Sequence, residues 1–297
     1  MTADRPRTRP RPGARSRPRR RSRPMTGRFP LMRLALHRRR RMIAALTAGI
    51  AVFEALIVVI TTTVSAEEIF GAGGHQPPNA FKAFSGSNGD VSIATYPGLL
   101  GAGLTHPFWI ALQLTAIGSL AAGAVASDVE AGTVELLMVR PVSRARLLAE
   151  RTGALVLVSL LLNAASTLAV AAGVALAPDL HDAVPLRGVY AAGLLGFGFS
   201  LCLAGPALAV SAAARSRARV VGAAIAFGAV GFAVNFVAMA WSKAAPLRFV
   251  SPFHYYTPGD ALAHGAVPWG QFGVLVGTGA VGIALAFVLL ARRDLAP

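Results

Sequence analysis

Apolar runs of about 20 residues or more, separated by short polar stretches, dominate the chain from residue 42 onward. They fall at 42–64, 107–127, 153–177, 188–213, 219–241 and 271–291. A helix rises about 1.5 Å per residue, so a hydrocarbon core about 30 Å thick takes roughly 20 residues to cross. None of these runs alternates with period two over its length, and an open strand edge in lipid would leave backbone groups unpaired. The pattern predicts an all-α polytopic membrane protein with six transmembrane helices.

The polar intervals differ in kind. Residues 65–106 read as a long loop rich in Gly, Pro, Ser and Asn, and 178–187 as a short turn. The stretch that follows Trp241 carries Phe253, Tyr255, Tyr256 and Trp269, aromatics suited to a membrane interface, so part of it is expected to re-enter the headgroup layer. Before the first run, Leu31, Leu34 and Ala35 share one helical face and the basic residues lie elsewhere. That pattern predicts an amphipathic interface helix.

The segment ASDVEAGTVELLMVRPVSRARLLAER, residues 126–151, is the most polar long interval between two spans. Val134, Leu137 and Met138 fall at i, i+3 and i+4, whereas Glu130, Thr133 and Glu135 lie mainly off that stripe, which predicts a short amphipathic helix. Pro141 ends it, because proline lacks an amide donor and disfavours helical geometry at the residue before it. Ser143 is placed to cap a second helix, with Arg146 and Glu150 one turn apart, that runs directly into the third span. A helix, a break and a helix held between two spans form a lever.

Composition agrees with the hydropathy pattern. The chain is 54% hydrophobic and only 14% charged, against about 25% charged in an average soluble domain. The net charge of +16 is local: residues 1–41 hold sixteen arginines and a single acid, Asp4, so the rest of the chain is close to neutral. Residues 1–28 read as a disordered Arg/Pro-rich cytoplasmic tail, since self-repelling charge and proline bury too little surface to offset ordering. Residues 29–297 form the transmembrane domain. No aromatic or fold motif accompanies the tail, so no nucleic-acid partner is expected; contact with membrane lipid is.

Arginine bias sets the orientation. With the N-terminus inside, Arg140, Arg144, Arg146, Arg151, Arg215, Arg217, Arg292 and Arg293 fall on the cytoplasmic side, and only Lys82, Arg187, Lys243 and Arg248 fall outside. Both termini are therefore expected in the cytoplasm of a cell whose plasma membrane the chain crosses. A removable signal peptide is not expected, because the first apolar run is long and lacks a small-residue cleavage site. Met25 is an alternative start. Cys202 is the single cysteine and can form no internal disulfide.

The pattern ExGTxELLxxxPVSR, here Glu130, Gly132, Thr133, Glu135, Leu136, Leu137, Pro141, Val142, Ser143 and Arg144, resembles the cytoplasmic loop of ABC-2 type transporter permeases. SPFHYYTPGDALAHG at 251–265 and RRDL at 292–295 are similar to actinobacterial members, and the resemblance covers the chain from about residue 30. It implies the transmembrane subunit of an ABC exporter, paired as a homodimer or as a heterodimer with a related permease. It also implies a cytoplasmic coupling helix that docks on a separate ABC ATPase subunit. Under that resemblance Glu130, Gly132, Thr133, Val134, Glu135, Leu137, Met138, Pro141, Ser143 and Arg144 are the docking residues, with the two acids polar and the apolar stripe filling the groove.

Catalysis by the chain itself is not expected. Lys82 and Lys243 are the only lysines and neither sits in GxxxxGK[ST], so no P-loop is present; HExxH, GxSxG and paired cysteines are missing too. No cofactor or metal is expected on this chain, with ATP and Mg on the partner subunit.

Polar groups inside spans are the candidate pathway-lining residues: Glu54, Gln113, Asn163 and Asn235. A charge at a span centre costs about 2.5–3.5 kcal/mol on insertion scales, so Glu54 should face the bundle interior, be protonated or find a donor. For the amides, and for Glu54 as well, a packing contact between helices is the plainer reading. Gly273 with Gly277, and Gly193, Gly196 and Gly198, predict close helix contacts, and Pro206 predicts a kink. His254 and His264 read as loop-surface residues. The alternative to an ABC permease is an ATP-independent secondary transporter or channel, whose inverted repeats the two halves do not display. A lipid-modifying enzyme would need clustered carboxylates or histidines.

Overall fold

The computed structural model describes residues 29–64, 91–132 and 143–293, and every regular element in them is helical. The helices are α1 (Pro30–Thr63), α2 (Tyr96–Thr105), α3 (Pro107–Ala122), α4 (Ala126–Glu130) and α5 (Arg144–Leu176). They continue with α6 (Pro178–Ala183), α7 (Leu186–Ala213), α8 (Arg217–Ala240), α9 (Pro258–His264) and α10 (Trp269–Arg292). Two 3-10 segments, Ser242–Val250 and Pro252–Tyr255, connect α8 to α9.

Five helices, α1, α5, α7, α8 and α10, are long and apolar enough to cross a membrane. The expected span at 107–127 is a shorter helix: α3 has 16 residues, about 24 Å of rise, and α2 precedes it across a break. His106 is extended at the break (ψ 138°), as a residue before proline must be. An uninterrupted helix would send the amides of residues 107 and 108 to Gly103 and Leu104. Instead Pro107 has no amide, and the Phe108 N–H donates to the His106 ring 3.2 Å away. α2 lies where sequence suggested only loop, and α6 where it suggested a turn.

The segment expected as a separate interface helix is continuous with the first span, because nothing between Leu31 and Met42 breaks a helix. At 34 residues α1 is about 51 Å long, so its basic first turns extend beyond a hydrocarbon core of about 30 Å.

α7 is the hub: 67% of its apolar window is buried, against 28% for α8 and for α10. α7 and α10 approach backbone to backbone. A methyl group at Gly279 would sit 2.6 Å from the Leu201 carbonyl oxygen, and one at Gly282 would strike the Gly205–Pro206 peptide. Gly273 and Gly277, expected to permit a close helix contact, meet no other part of this chain among the described residues; the close approach to α7 occurs further along α10, on its other side. Gly193, Gly196 and Gly198 do meet neighbours, on Thr167, Asn163 and Phe272. Pro206 lies inside an unbroken α7. Val52 and Leu56 on α1, Val230 on α8 and Val281 on α10 are exposed on the outer face, as lipid contact requires.

Candidate functional site

Six helix ends meet on one face of the bundle, which we term the loop end: the starts of α1, α5 and α8 and the finishes of α3, α7 and α10. Each leaves unpaired backbone groups that cannot stay bare at the edge of an apolar bundle. Phe29 precedes α1 and has no acceptor, so Glu150 serves from α5: its Oε2 takes the amides of Leu31 (2.7 Å) and Met32 (3.2 Å). Its Oε1 takes Arg146 Nε at 3.0 Å. Burial alone would raise this carboxyl, but the Arg146 guanidinium and the two amides outweigh it and hold the group below its ordinary range.

Glu130 does the same for α8, its Oε2 accepting the Arg217 amide at 2.8 Å. Acids thus sit at helix N-termini, where the dipole favours them. Arginines close the opposite polarity. Arg151 Nη1 donates to the Gly123 carbonyl that ends α3, Arg293 Nη1 to Ala212 O at 2.8 Å, and Arg144 Nη1 to Arg293 O at 2.7 Å. Ser143 caps its own helix, accepting the Arg146 amide at 3.2 Å, as its position in the sequence predicts.

Of the expected docking residues, Glu130, Gly132, Ser143 and Arg144 are described, and three of them are engaged in these caps. α4 stops at Glu130 and Gly132 follows in the left-handed region (φ 63°); the short amphipathic helix expected on Val134, Leu137 and Met138 falls outside the described residues. Thr133, Val134, Glu135, Leu137, Met138 and Pro141 lie outside the described residues.

Deeper in the bundle, three of the four expected pathway residues come together. Glu54 Oε1 accepts the Ser166 hydroxyl (3.1 Å), and Trp109 Nε1 donates to the same hydroxyl oxygen (3.3 Å). About one turn along, Asn163 Nδ2 donates to Ser159 O (2.8 Å) and Ser200 Oγ (2.9 Å), and Ser200 Oγ lies 3.3 Å from Gln113 Oε1. Glu54 and Gln113 are fully buried, and Glu54 Oε2 and Gln113 Nε2 have no hydrogen-bond partner among the described residues. These bonds tie α1, α3, α5 and α7 together, the packing role expected of polar side chains in lipid. Asn235 stands apart on α8, 3.6 Å from Met239 Sδ of its own helix.

Above this cluster sits a residue that the sequence placed at the interface. Tyr256 is 2% exposed, its ring stacked between Phe199 (centroids 4.4 Å) and Trp109 (5.7 Å). Its hydroxyl donates to Leu104 O at 3.1 Å, the carbonyl left unpaired by the α2–α3 break. The aromatic stretch therefore re-enters the protein core at Phe253 and Tyr256, while Trp241 and Trp269 remain exposed.

The sequence pattern of the family described as ABC-2 family transporter protein matches residues 33–295. The chain belongs to the ABC-2 transporter family. It matches no curated protein. Five apolar helices together with this membership make it a multi-pass membrane protein, and members of the family are membrane components that generally work with an ABC ATPase. For an ABC-2 chain the loop end is the informative face. Sequence reasoning missed Glu130 and Glu150 as caps for other helices. The available signal was an uncapped start: Phe29 has no side-chain acceptor, so the first turn of α1 needs one from elsewhere.

Proposed function

We propose that the chain is the permease subunit of an ABC exporter that crosses the plasma membrane six times with both termini in the cytoplasm. In this reading α2 and α3 together make the second crossing. Residues 128–150 form the coupling loop that docks on a separate ATPase, which holds ATP and Mg, and two such chains, or one with a related permease, complete the pathway.

The observation that carries this reading is the anchoring of the loop. One shoulder is tied by Glu130 to α8, and the other by Glu150 to α1 and by Arg144 to the end of α10. A push on the loop is thereby delivered to helices that surround the buried polar cluster. Bistable packed elements convert such displacements into rigid-body motion. Glu54, Gln113 and Asn163 would reach a pathway only once the bundle opens, because all three are buried inside one chain.

The test is copurification with an ABC ATPase, sought first in the open reading frame next to the one for this chain. Glu135→Arg should abolish it and leave membrane insertion intact; undiminished copurification would remove the docking role. Orientation is tested separately with a cysteine at position 135 in a Cys202→Ala background, which an impermeant maleimide added outside intact cells should not label. A second reading, an ATP-independent transporter, takes the buried carboxylate of Glu54 as its observation; transport that persists without any ATPase would favour it.

A further inference from the structure

A cavity of about 120 Å³ opens at the loop end between the first turns of α1, the finish of α3, α4 and the start of α5. Since roughly 10–15 Å³ admits one water, it has room for a group of several heavy atoms. Its polar wall is Arg38, Arg39, Ser127, Asp128 and Arg151, three guanidiniums against one carboxylate. Arg217 adds a fourth cation nearby: its Nη2 lies 3.4 Å from Ser119 Oγ, the same hydroxyl that Arg39 Nη1 contacts. Burial, then Arg217 and Arg151, disfavour the charge on Arg39, and like charges are gathered here at a cost that helix capping alone does not require.

Capping accounts for part of the wall. Arg151 ends α3 through Gly123 O and pairs with Asp128 at 3.4 Å. It does not account for the Arg151 Nε or the Ser127 Oγ, both buried and without a hydrogen-bond partner among the described residues, and both in residues that line the cavity. Buried donors are seldom left unmade. The end of the Arg39 side chain lies close against Gly123, at the finish of α3.

We propose that this cavity binds the phosphate of an anionic phospholipid headgroup, with Arg38, Arg39 and Arg151 as its charged donors and Ser127 as a neutral one. Guanidiniums match phosphate oxygens two at a time, which lysines do not. A phospholipid is favoured over free phosphate because the cavity opens at one end of a bundle of membrane-crossing helices, where headgroups lie, and Leu34 and Leu120 add apolar surface beside the cations. The site adjoins both shoulders of the loop, Asp128 lying two residues before Glu130 and Arg151 directly after Glu150, so a bound lipid would stiffen the loop's anchors. That the lipid comes from the cytoplasmic leaflet rests on the proposed function.

The experiment is native mass spectrometry of the purified full chain in detergent, titrated with phosphatidylglycerol, phosphatidylcholine or inorganic phosphate. One phosphatidylglycerol should be retained per chain in preference to phosphatidylcholine, and millimolar phosphate should not displace it. At about fivefold per basic residue, Arg38→Gln with Arg39→Gln should weaken retention about 25-fold. Arg40→Gln with Arg41→Gln, equal in charge loss but on exposed positions, should leave it unchanged. Equal losses in the two double variants, equal retention of phosphatidylcholine, or displacement of the lipid by phosphate would each overturn the proposal. Should the first double variant unfold, exposed Arg38→Gln alone carries the test at about fivefold. The readout involves no ATPase, so its failure leaves the coupling role untouched, and the reverse also holds.

Discussion

At the loop end, helix termini are closed by charged side chains that reach from other helices, whereas at the far end the side-chain caps among the described residues come from neighbours in sequence. Glu130, Glu150, Arg144 and Arg293 each bridge two elements. At the far end Thr95 accepts the Gly98 amide (3.3 Å), His106 the Phe108 amide (3.2 Å) and Ser251 the Phe253 amide (3.1 Å). Gly265 ends α9 in the left-handed conformation (φ 65°). Local caps stabilise one helix each and transmit nothing. Caps made across helices fix relative positions, so disturbing one moves two elements. The charges of Glu130, Arg144, Glu150 and Arg151 are therefore structural: each closes a helix end.

The far end has one exception, and breaking it should have the largest effect. Tyr256 reaches from the loop before α9 to the Leu104 carbonyl and fills the space between Phe199 and Trp109. Tyr256→Ala should cost about 3–5 kcal/mol in detergent unfolding, as large aromatic truncations do. Tyr256→Phe keeps the ring and strands one buried carbonyl, a loss of about 1–3 kcal/mol. If the two variants lost equally, the hydroxyl and not the ring would hold the break.

At the loop end the corresponding cut is Glu150→Ala. It strands two amides of α1 and should cost about 2–3 kcal/mol. Arg146→Ala removes only the half-exposed partner (side chain 53% exposed) and should cost about 0.5 kcal/mol, the ordinary size of such a helix pair. Comparable losses from the two would mean that the ion pair matters more than the cap, and the contrast between the ends would weaken.

Much of this frame was legible in the sequence because spans are specified by length and hydropathy alone. The runs at 42–64, 153–177, 188–213, 219–241 and 271–291 each correspond to a long helix, and Ser143, Arg146 and Glu150 fall into the predicted local geometry. What failed did so for identifiable physical reasons. α2 hid in YPGLLGAGLT because three glycines mask a helix that packing, not propensity, stabilises; Leu100 and Leu104 are buried by it. The contact of α10 with α7 uses Gly279 and Gly282, not Gly273 and Gly277; the two pairs share composition and only the partner helix distinguishes them. Caps made across 81 residues or more, as those of Glu130, Glu150, Arg144 and Arg293 are, leave no local pattern. The buried cluster was half visible: Glu54, Gln113 and Asn163 are polar residues in apolar runs, but Ser166 and Ser200, which join them, look like ordinary small residues.

Ser143→Ala tests a local cap at the loop end and should cost about 1 kcal/mol, less than Glu150→Ala because one amide, not two, is stranded.

The smallest effect belongs to a titration at the far end. His254 is half-buried in the 3-10 segment outside the spans, edge-on to Phe249 and Tyr255. Burial first, and then the Arg248 guanidinium, press its imidazole below the ordinary range. The unfolded chain therefore binds the proton more readily, near pH 6.5, than the folded chain does. The stabilisation is fully present above about pH 6.5 and is lost as pH falls toward the lower folded value, below which the curve flattens. Melting temperature measured from pH 8 to pH 5 should fall slightly over that interval in wild type and less in His254→Asn. A steeper fall in the variant would mean that the imidazolium is stabilised in place, with Arg248 turned away from it.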